Sequence, residues 1–357
     1  MSPDLAGKEK RVIMRSMKKK RILLLYTGGT IGMVPGPKGY VPDSAEFIRR
    51  LHDMDELNHP DMPEWNLIEF SPLLDSSNIT VKEWNQMGRT IAVNYDDYDG
   101  FVVLHGTDTM AYSASALSFM LENLNKPVIF TGAQIPLCEI RSDARENLVN
   151  AMVIASSNKV HEVCLYFAGK LMRGNRAVKR SSDRFEAFDS PNAPLLAEAG
   201  IAITYNDAEL LPATDMELEL QPFEEVPIGV IKVFPGIQFE LFESIMTEKL
   251  KGVVLETFGC GNIPGYQNSL LSIIQKAYES GTILTITSQC PQGTVSVGTY
   301  EVSSSLSEVD AVGGKDMTTE AAVAKLYYLF SRYTNKALIK AKMEENLRGE
   351  LTTSRRR

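Results

Sequence analysis

The chain has 357 residues, of which 44% are hydrophobic and 23% are charged, with 25 glycines and 17 prolines. This composition is typical of globular proteins and excludes collagen-like, low-complexity and disordered classes. The length is about twice that of a typical domain, which predicts two domains and a sizeable core. The sequence contains no run of 18 apolar residues, so we expect neither a membrane-spanning helix nor a membrane partner.

The charge is distributed unevenly along the chain. The formal net charge is −8, yet residues 1–21 carry eight basic and two acidic residues, and the chain ends in three arginines. The body between these ends is therefore strongly acidic, and an acidic surface repels phosphate backbones, so we expect no nucleic-acid partner. Residues 1–19 are interpreted as a basic, flexible extension, because the apolar run 12–14 is too short for a secretory signal.

The cysteines and histidines give little sign of a metal site or of disulfides. The four histidines show no metal-ligand spacing, so no metal ion is expected. The cysteines are widely spaced and form no CxxC pair. This spacing favours reduced thiols and a cytoplasmic location for Cys138, Cys164, Cys260 and Cys290.

Short runs rich in Val, Ile and Leu alternate with longer segments of helical periodicity, which predicts an α/β protein whose strands are buried on both faces. The predicted strands are, in chain order, 21–27, 100–104, 127–131, 163–167, 200–204, 229–234, 252–257 and 282–287. The predicted helices are 44–54, 81–94, 111–123, 142–156, 238–248, 268–279, 319–332 and 335–346. Asp43 and Thr80 stand where the first two helices need N-caps.

The alternation breaks between residues 206 and 226, which hold seven acidic residues, no basic ones and two prolines. We therefore expect two α/β domains, a larger N-terminal one with a mostly parallel, flavodoxin-like sheet and a smaller C-terminal one with a parallel sheet flanked by helices. The boundaries follow as an extension at 1–19, an N-terminal domain with the candidate site at 20–205, an acidic linker at 206–227, a C-terminal domain at 228–347 and a tail at 348–357.

Ligands of open α/β sheets bind outside the carboxyl ends of the strands, so residues just after each strand are the candidates for chemistry. The first predicted strand ends in TGGTIG at residues 27–32. Its two glycines permit a sharp turn that leaves the Thr30 hydroxyl at the strand tip. An ordinary tight turn or a phosphate loop are alternatives, but the segment matches neither GxGxxG nor GxxxxGK[ST].

The second predicted strand ends in HGTDT at residues 105–109, directly before a helical pattern. Thr107 and Asp108 place a hydroxyl beside a carboxylate at this tip. The commoner interpretation is that Asp108 or Thr109 caps the helix. His105 has an equally ordinary interpretation as a hydrogen-bonded residue near a strand end.

A third tip, TGAQIP at residues 131–136, brings backbone N–H groups to the same edge, and Lys179 lies shortly after the fourth strand. Taken alone, Lys179 is a surface lysine. Two hydroxyls on separate strand tips, one carboxylate and one lysine are nevertheless the parts of a nucleophile and base arrangement that needs no histidine.

At these residues the sequence resembles a known family. The segments YTGGTIG at 26–32 and HGTDT at 105–109 resemble the two signatures of the bacterial-type L-asparaginase family, which are highly specific when they occur together. The resemblance covers residues 20–347. Further segments resemble its cytoplasmic type I branch, namely YDDYDGF at 95–101, ALSFMLENL at 116–124 and NLRGEL at 346–351.

The resemblance implies hydrolysis of L-asparagine to L-aspartate and ammonia, without a metal or an organic cofactor. In this family, the position of Thr30 corresponds to the nucleophile that forms an acyl-enzyme ester. Tyr40 corresponds to a tyrosine on a mobile loop that closes near that hydroxyl. Thr107, Asp108 and Lys179 correspond to the second threonine, the aspartate and the lysine of the catalytic group.

The resemblance also implies how the substrate is held. Ser76 corresponds to the serine that binds the substrate carboxylate, and Asp108 also takes the substrate ammonium. Ser77 replaces an amide side chain that many relatives have at that position, and we expect discrimination against glutamine to change with it. Asn262 resembles a position that reaches into the neighbouring subunit's site, which implies a homodimer or homotetramer.

The oxyanion of the acyl-transfer step also needs donors. Backbone N–H groups near Thr107 and Ala133 are the candidates, since both residues follow strands at the same edge. Each such donor contributes roughly 3–4 kcal/mol in comparable acyl transfers.

Some type I enzymes have a second, regulatory asparagine site with an arginine and a cysteine. Cys290 corresponds to that cysteine, but Glu256 stands where the arginine is expected. Because a carboxylate repels the carboxylate of the effector, regulation by asparagine is not expected. The preferred interpretation of Cys290 is a buried small residue after a strand.

Two alternatives remain, a rival enzyme and a binding module from a different class of function. The asparaginase-like subunit of a transfer-RNA-dependent amidotransferase would need a further N-terminal domain and a surface suited to nucleic acid. An amino-acid-binding module that has lost catalysis would lack members of the catalytic group, all of which are present. The leading hypothesis is therefore a homo-oligomeric, cytoplasmic enzyme of asparagine breakdown.

Overall fold

A computed structural model describes residues 19–264, 268–296 and 311–353. The predicted basic extension lies outside these ranges except for Lys19, and so do the last four residues of the predicted tail. Among the helices described, none is long and apolar enough to cross a bilayer.

The structure confirms the predicted alternation of strands and helices. The helices are α1 (Ser44–His52), α2 (Val81–Val93), α3 (Met110–Met120), α4 (Ala144–Ala155), α5 (Asn268–Glu279), α6 (Thr319–Arg332) and α7 (Lys336–Glu344). The strands up to residue 173 are β1 (Arg21–Gly28), β2 (Met33–Gly36), β3 (Gly39–Pro42), β4 (Glu64–Leu74), β5 (Gly100–Leu104), β6 (Leu121–Glu122), β7 (Val128–Thr131), β8 (Val163–Phe167) and β9 (Lys170–Arg173). The later strands are β10 (Val178–Lys179), β11 (Phe188–Asp189), β12 (Ala197–Ala199), β13 (Ile203–Tyr205), β14 (Glu219–Leu220), β15 (Ile228–Lys232), β16 (Gly252–Thr257), β17 (Ile283–Ser288) and β18 (Val312–Gly313).

The larger sheet has the strand order β13-β12-β9-β8-β7-β5-β1-β4. Five strands are parallel, namely β4, β1, β5, β7 and β8, while β9, β12 and β13 continue the sheet in antiparallel pairs. Numbered along the chain, the parallel strands stand in the order 2-1-3-4-5, which confirms the predicted flavodoxin-like sheet. In this order the topological switch point lies between β1 and β5.

Both faces of this sheet are covered, as the apolar runs predict. Leu23 and Leu25 of β1 pack into a core with α2, α3 and α6, whereas Ile22 and Leu24 pack on the opposite face with α1 and α4. Because side chains alternate between the faces of a strand, a strand buried on both faces must be apolar at nearly every position. The predicted caps are also confirmed, since the side chains of Asp43 and Thr80 accept from the first turns of α1 and α2.

The sequence pattern missed β4, which forms the edge of the parallel sheet beside β1. Along β4 only Phe70 is fully buried. An edge strand with one solvent-exposed face carries no continuous apolar run. It therefore lacks the sequence pattern that predicts β1 and β5.

Two predicted elements were wrong. Residues 200–204 do not form one strand, because residues 200–202 turn the chain between β12 and β13, with Gly200 N donating to Ala202 O at 3.1 Å. Residues 238–248 do not form an α-helix but a 3-10 turn at Phe239–Phe242 and a π-helical turn at Ile245–Lys249. The Thr282 hydroxyl lies at 3.0 Å from Met246 O and 2.7 Å from Leu250 O, so carbonyl groups of this segment are satisfied from outside it.

The C-terminal sheet has four parallel strands in the order β15-β16-β17-β18, as predicted for a smaller parallel sheet flanked by helices. Its side chains Val254 and Ile283 belong to the same hydrophobic core as Leu23 of β1. Ten of the eleven α3 residues are buried, because α3 lies between the large sheet and α6. The two sheets therefore share one hydrophobic interior, with α3 buried inside it.

A buried charge pair holds the chain segment after α7. Lys325 on α6 and Glu350 are both fully buried and lie 2.5 Å apart. Lys325 Nζ also donates to Met343 O and Glu345 O, while Glu350 accepts from the backbone N–H of Leu347. Burial lowers the pKa of Lys325 below its usual value, and these partners satisfy both charges.

We predict that Lys325→Met lowers the free energy of unfolding by about 3–5 kcal/mol at pH 7, because it leaves the Glu350 carboxylate buried without its cation. Urea unfolding measures the change. The matched control is Lys342→Met on α7, which removes a partly exposed pair with Glu345 and should change stability by less than about 1 kcal/mol. Equal losses for both variants would contradict a special role of the buried pair.

Candidate active site

The carboxyl ends of β4, β1, β5 and β7 lie side by side, because these four strands are neighbours and parallel. Gly28 ends β1 and Gly29 follows it, with φ angles of 127° and 87° that residues with a side chain rarely adopt. A Cβ at Gly29 would lie 2.5 Å from the backbone of Gly106. The turns after β1 and β5 are therefore in direct backbone contact, and glycine is required for it.

The two threonines at the β1 tip have different surroundings. Thr27 is buried, and its hydroxyl donates to Leu104 O at 2.9 Å, which ties β1 to β5. Thr30 is half-buried in the 3-10 turn that follows Gly29. Thr27 thus stabilises the sheet, whereas Thr30 lies in the turn that contacts the β5 tip.

The β5 tip brings three of the predicted residues together. Lys179 Nζ lies 2.8 Å from Thr107 Oγ1 and 2.6 Å from Asp108 Oδ1. Thr109 occupies the N-cap position of α3, but it makes no side-chain capping hydrogen bond, so the interpretation of Asp108 or Thr109 as a side-chain cap is wrong. Asp108 instead pairs with Lys179 across 71 residues of sequence.

Ser76 lies against the same tip. It follows β4 in a 3-10 turn, it is buried, and its Oγ stands 2.5 Å from where a Cβ on Gly106 would be. The Thr109 hydroxyl donates to Ser76 O at 2.7 Å, which holds the serine turn to the start of α3. Ser77 follows in the same turn with an exposed side chain.

His105 is buried behind the tip and has no exposed surface. Its Nδ1 lies 2.7 Å from Gly106 O, and because a carbonyl can only accept, Nδ1 carries the proton. Burial lowers the pKa of His105 to about 4, so the ring is neutral at physiological pH. The Gly106 carbonyl therefore points to His105, and the Thr107 N–H on the opposite side of that trans peptide points away from it.

The β7 tip supplies Ala133 and Gln134 next to Thr107. Ala133 is buried, and the Gln134 side chain accepts from Thr107 Oγ1 at 3.2 Å. The carboxylate of Asp143, at the start of α4, accepts from the backbone N–H groups of Gln134 and Ile135 at 3.0–3.1 Å. Backbone donors at this tip are thus held at fixed positions.

Tyr40 lies on a hairpin formed by β2 and β3, directly after the Thr30 turn. Its side chain is half exposed, and its hydroxyl donates to Glu139 Oε1 at 2.9 Å. This hydrogen bond raises the pKa of Tyr40. The backbone N–H of Leu137 also donates to Ile31 O in the turn before the hairpin. Cys138 Sγ donates to Met33 O, at the start of β2.

The remaining candidates lie on the C-terminal sheet rather than at the tips of the larger sheet. Asn262 has an exposed side chain in a turn closed by backbone hydrogen bonds to Phe258. The expected burial of Cys290 is wrong, because this residue is exposed in the turn beyond β17. Glu256 accepts from the Thr319 hydroxyl at 2.6 Å. In the described ranges no group of three or more His, Cys, Asp or Glu side chains could hold a metal ion.

Comparisons with known proteins agree with this arrangement. Residues 21–210 match the family model for the N-terminal domain of asparaginase, and residues 227–343 match the model for the glutaminase/asparaginase C-terminal domain. The chain belongs to the asparaginase family. It is 45% identical to L-asparaginase 1 of Escherichia coli K12 over 94% of this chain and 99% of that protein, so the resemblance to the type I branch is confirmed.

Two further relatives of this asparaginase-family chain are a solved structure with a similar fold and a protein named for another activity. The crystal structure of L-asparaginase I from Vibrio cholerae superposes with a TM-score of 0.87 at 44% identity, over 94% of this chain and all of that one. A human protein named 60 kDa lysophospholipase is 40% identical over 94% of this chain but only 62% of its own length. The relatives of this chain are thus named for different activities.

Two residues that contact predicted site residues were not predicted from the sequence. Gln134 touches Thr107, and Glu139 holds Tyr40. Gln134 is the first polar side chain after β7, so its place at a strand tip was a usable signal. Glu139 had none, because its partner lies 99 residues away in the sequence.

We predict that His105 makes stability depend on pH in mildly acid solution. The unfolded chain takes up the proton below its ordinary pKa of 6.5, whereas the folded chain resists it until about pH 4. Stability is therefore lost as pH falls through this window, by about 3 kcal/mol in total. His105→Gln should remove this part of the slope in urea unfolding between pH 4.5 and 7.

The matched control is His59→Gln, which changes an exposed histidine. It should keep the pH dependence of the unmodified chain. Identical slopes in the unmodified chain and in His105→Gln would contradict the buried, neutral state of His105.

Proposed function

We propose that the chain hydrolyses L-asparagine to L-aspartate and ammonia. The observation that carries the proposal is the contact of Lys179 with Thr107 and Asp108 at the β5 tip, which abuts the Thr30 turn. A hydroxyl nucleophile needs a neighbouring base, and a lysine held beside a second hydroxyl provides one without histidine. The membership of the asparaginase family supports the same reaction.

In the proposed reaction, Thr30 Oγ attacks the carbon of the side-chain amide. The carbon–nitrogen bond breaks, the threonine proton passes to the departing nitrogen, and ammonia leaves. Water then cleaves the ester and returns a proton to Thr30. The Thr107 and Lys179 pair activates the attacking oxygen in these steps by proton transfer. Backbone N–H groups at Thr107 and Ala133 stabilise the oxyanion, each by roughly 3–4 kcal/mol.

Binding of the substrate requires both signs of charge. The Asp108 carboxylate is 65% exposed, so it has room to accept from the substrate ammonium while it pairs with Lys179. Ser76 and Ser77 at the β4 tip are proposed to bind the substrate carboxylate. Tyr40 is proposed to leave Glu139 and to close over Thr30 when the substrate is bound, which excludes water from the first acyl transfer.

We also propose that the active form is a homo-oligomer, a dimer or a tetramer, in the cytoplasm. Exposed apolar side chains on the loops around the site support an interface, namely Tyr40, Val41, Ile140 and Phe185. The exposed turn with Asn262 is proposed to reach into the neighbouring subunit's site. The cytoplasmic location is supported by the free thiols of the four cysteines.

We predict that Thr30→Ala abolishes ammonia release from L-asparagine and leaves the fold intact, because the variant lacks the nucleophile but loses no described contact of the core. The matched control is Thr27→Val, which removes a structural hydroxyl from the end of β1 and should retain activity within a few-fold. Ammonia release and circular dichroism are measured on both. Near-normal turnover of Thr30→Ala would discard the proposed nucleophile.

The same assay should compare L-asparagine, L-glutamine and a lysophospholipid. We expect asparagine to be preferred over glutamine and the lysophospholipid to be left intact, since the side chains around Thr107 are polar. Preferential release of fatty acid would replace the amidohydrolase proposal by the activity named for the human relative.

We predict that mixed oligomers restore activity if Asn262 acts across subunits. Assayed alone, Thr30→Ala should be inactive and Asn262→Ala should be weakly active. In a mixed dimer, one of the two sites combines an intact Thr30 with an intact Asn262, so co-refolded subunits should regain turnover that neither parent has. Sedimentation should give at least a dimer, and mixtures no more active than the parents would contradict the shared site.

A further inference from the structure

Gln134 belongs to a chain of hydrogen bonds that ends at Lys179. Its Nε2 lies 3.1 Å from Arg184 O, and its Oε1 lies 3.2 Å from Thr107 Oγ1. We propose that Gln134 is a positioning residue that directs the Thr107 proton away from Lys179 and thereby raises the pH at which the reaction begins. This inference rests on the proposed function of the same site.

The direction of each hydrogen bond follows from what each atom can do. Arg184 O is a carbonyl and can only accept, so the Gln134 group that faces it is the NH₂. The group that faces Thr107 is then the Gln134 carbonyl, which can also only accept. Thr107 therefore gives its one proton to Gln134, and Lys179 Nζ must be the donor in its 2.8 Å contact with Thr107.

The main chain of Gln134 is fixed from the start of α4. Asp143 accepts from its backbone N–H at 3.0 and 3.1 Å. Asn147 on α4 donates to Asp143 at 3.2 Å and to Gly132 O at 3.0 Å. Because these contacts fix the main chain of Gln134, its side-chain amide cannot turn away from Thr107 without losing the hydrogen bond to Arg184 O.

This arrangement keeps the Thr107 proton away from a neutral amine at Lys179. A neutral amine has a lone pair, and Thr107 can donate its proton to that lone pair only if its hydroxyl rotates away from Gln134. The amide and the neutral lysine thus compete for one proton. Removing the amide should make the neutral amine easier to form, whereas a carboxylate in its place should make it harder.

Other charges near Lys179 are accounted for. Asp108 touches Lys179 directly, and α3, which packs against β10, carries no charged residue. On the ribbon of β10 and β11, Arg180 pairs with Asp189 at 2.9 Å. In the connecting loop, Glu186 pairs with Lys170 at 3.7 Å. Asp183 accepts a hydrogen bond from the Ser181 hydroxyl at 2.6 Å, and the backbone carbonyl of Arg184 accepts from Gln134.

The test compares kcat for ammonia release over pH 5 to 10 in three chains. Relative to the unmodified chain, Gln134→Met should move the acidic limb to lower pH by about 0.5–1 unit, the equivalent of one hydrogen bond. Gln134→Glu should move it to higher pH by a similar amount, because it adds a negative charge. A merely structural role would not reverse the sign between the two variants.

Gln86 provides the matched control, because it is exposed on α2. Gln86→Met and Gln86→Glu should leave the limb in place. Shifts of the same sign for both Gln134 variants, or no shifts, would overturn the inference. If Gln134→Met does not fold, Gln134→Glu decides alone, since a limb at the same or lower pH contradicts the proposal.

A second measurement separates this inference from the proposed function. Reductive methylation consumes the neutral form of an amine, and mass spectrometry of the Lys179 peptide reports its rate without any turnover. Half-maximal reaction should occur at the lowest pH in Gln134→Met and at the highest in Gln134→Glu. The reverse order refutes the role of Gln134 even if asparagine is hydrolysed, and the expected order supports it even if asparagine is not.

Discussion

The order of the parallel strands is the constraint on which the candidate site depends. Because β1 stands between β4 and β5, the chain leaves these tips in different directions, and ligands of open α/β sheets bind at such a switch point. The backbones of Gly29 and Gly106 touch at this point, where any side chain would collide with the opposite turn. The side chains of Ser76 and Thr107 then stand at the tips of the two strands that flank β1, and Thr30 follows Gly29 in the β1 turn.

Features of the fold that leave a local trace could be predicted from the sequence. Burial on both faces makes β1 and β5 continuously apolar, and glycines at the tips mark where backbones meet. The edge strand β4 leaves no such trace. Gln134 could not be assigned a role, because its partners lie 27 and 50 residues away and only the folded chain brings them within hydrogen-bond distance.

The position of Lys179 also depends on the end of the chain. Arg176 lies three residues earlier and is nearly fully buried. It pairs with Asp316 at 2.8 Å and donates to Glu350 O at 2.6 Å, while Asn175 donates to Arg348 O. The turn that leads into β10 is therefore held by residues that come after both sheets in the sequence. The catalytic group proposed here is complete only when the C-terminal segment has docked.

Two lysine–carboxylate pairs of nearly equal length illustrate how burial separates stability from chemistry. Lys325 and Glu350, 2.5 Å apart, have no exposed surface, and backbone groups occupy their remaining hydrogen-bonding positions. Such a pair cannot exchange partners without leaving a charge uncompensated in the interior. Lys179 and Asp108, 2.6 Å apart, are 19% and 65% exposed. Solvent can stabilise either charge when the other is neutralised or takes a new partner, so only this pair can take part in a reaction that moves a proton.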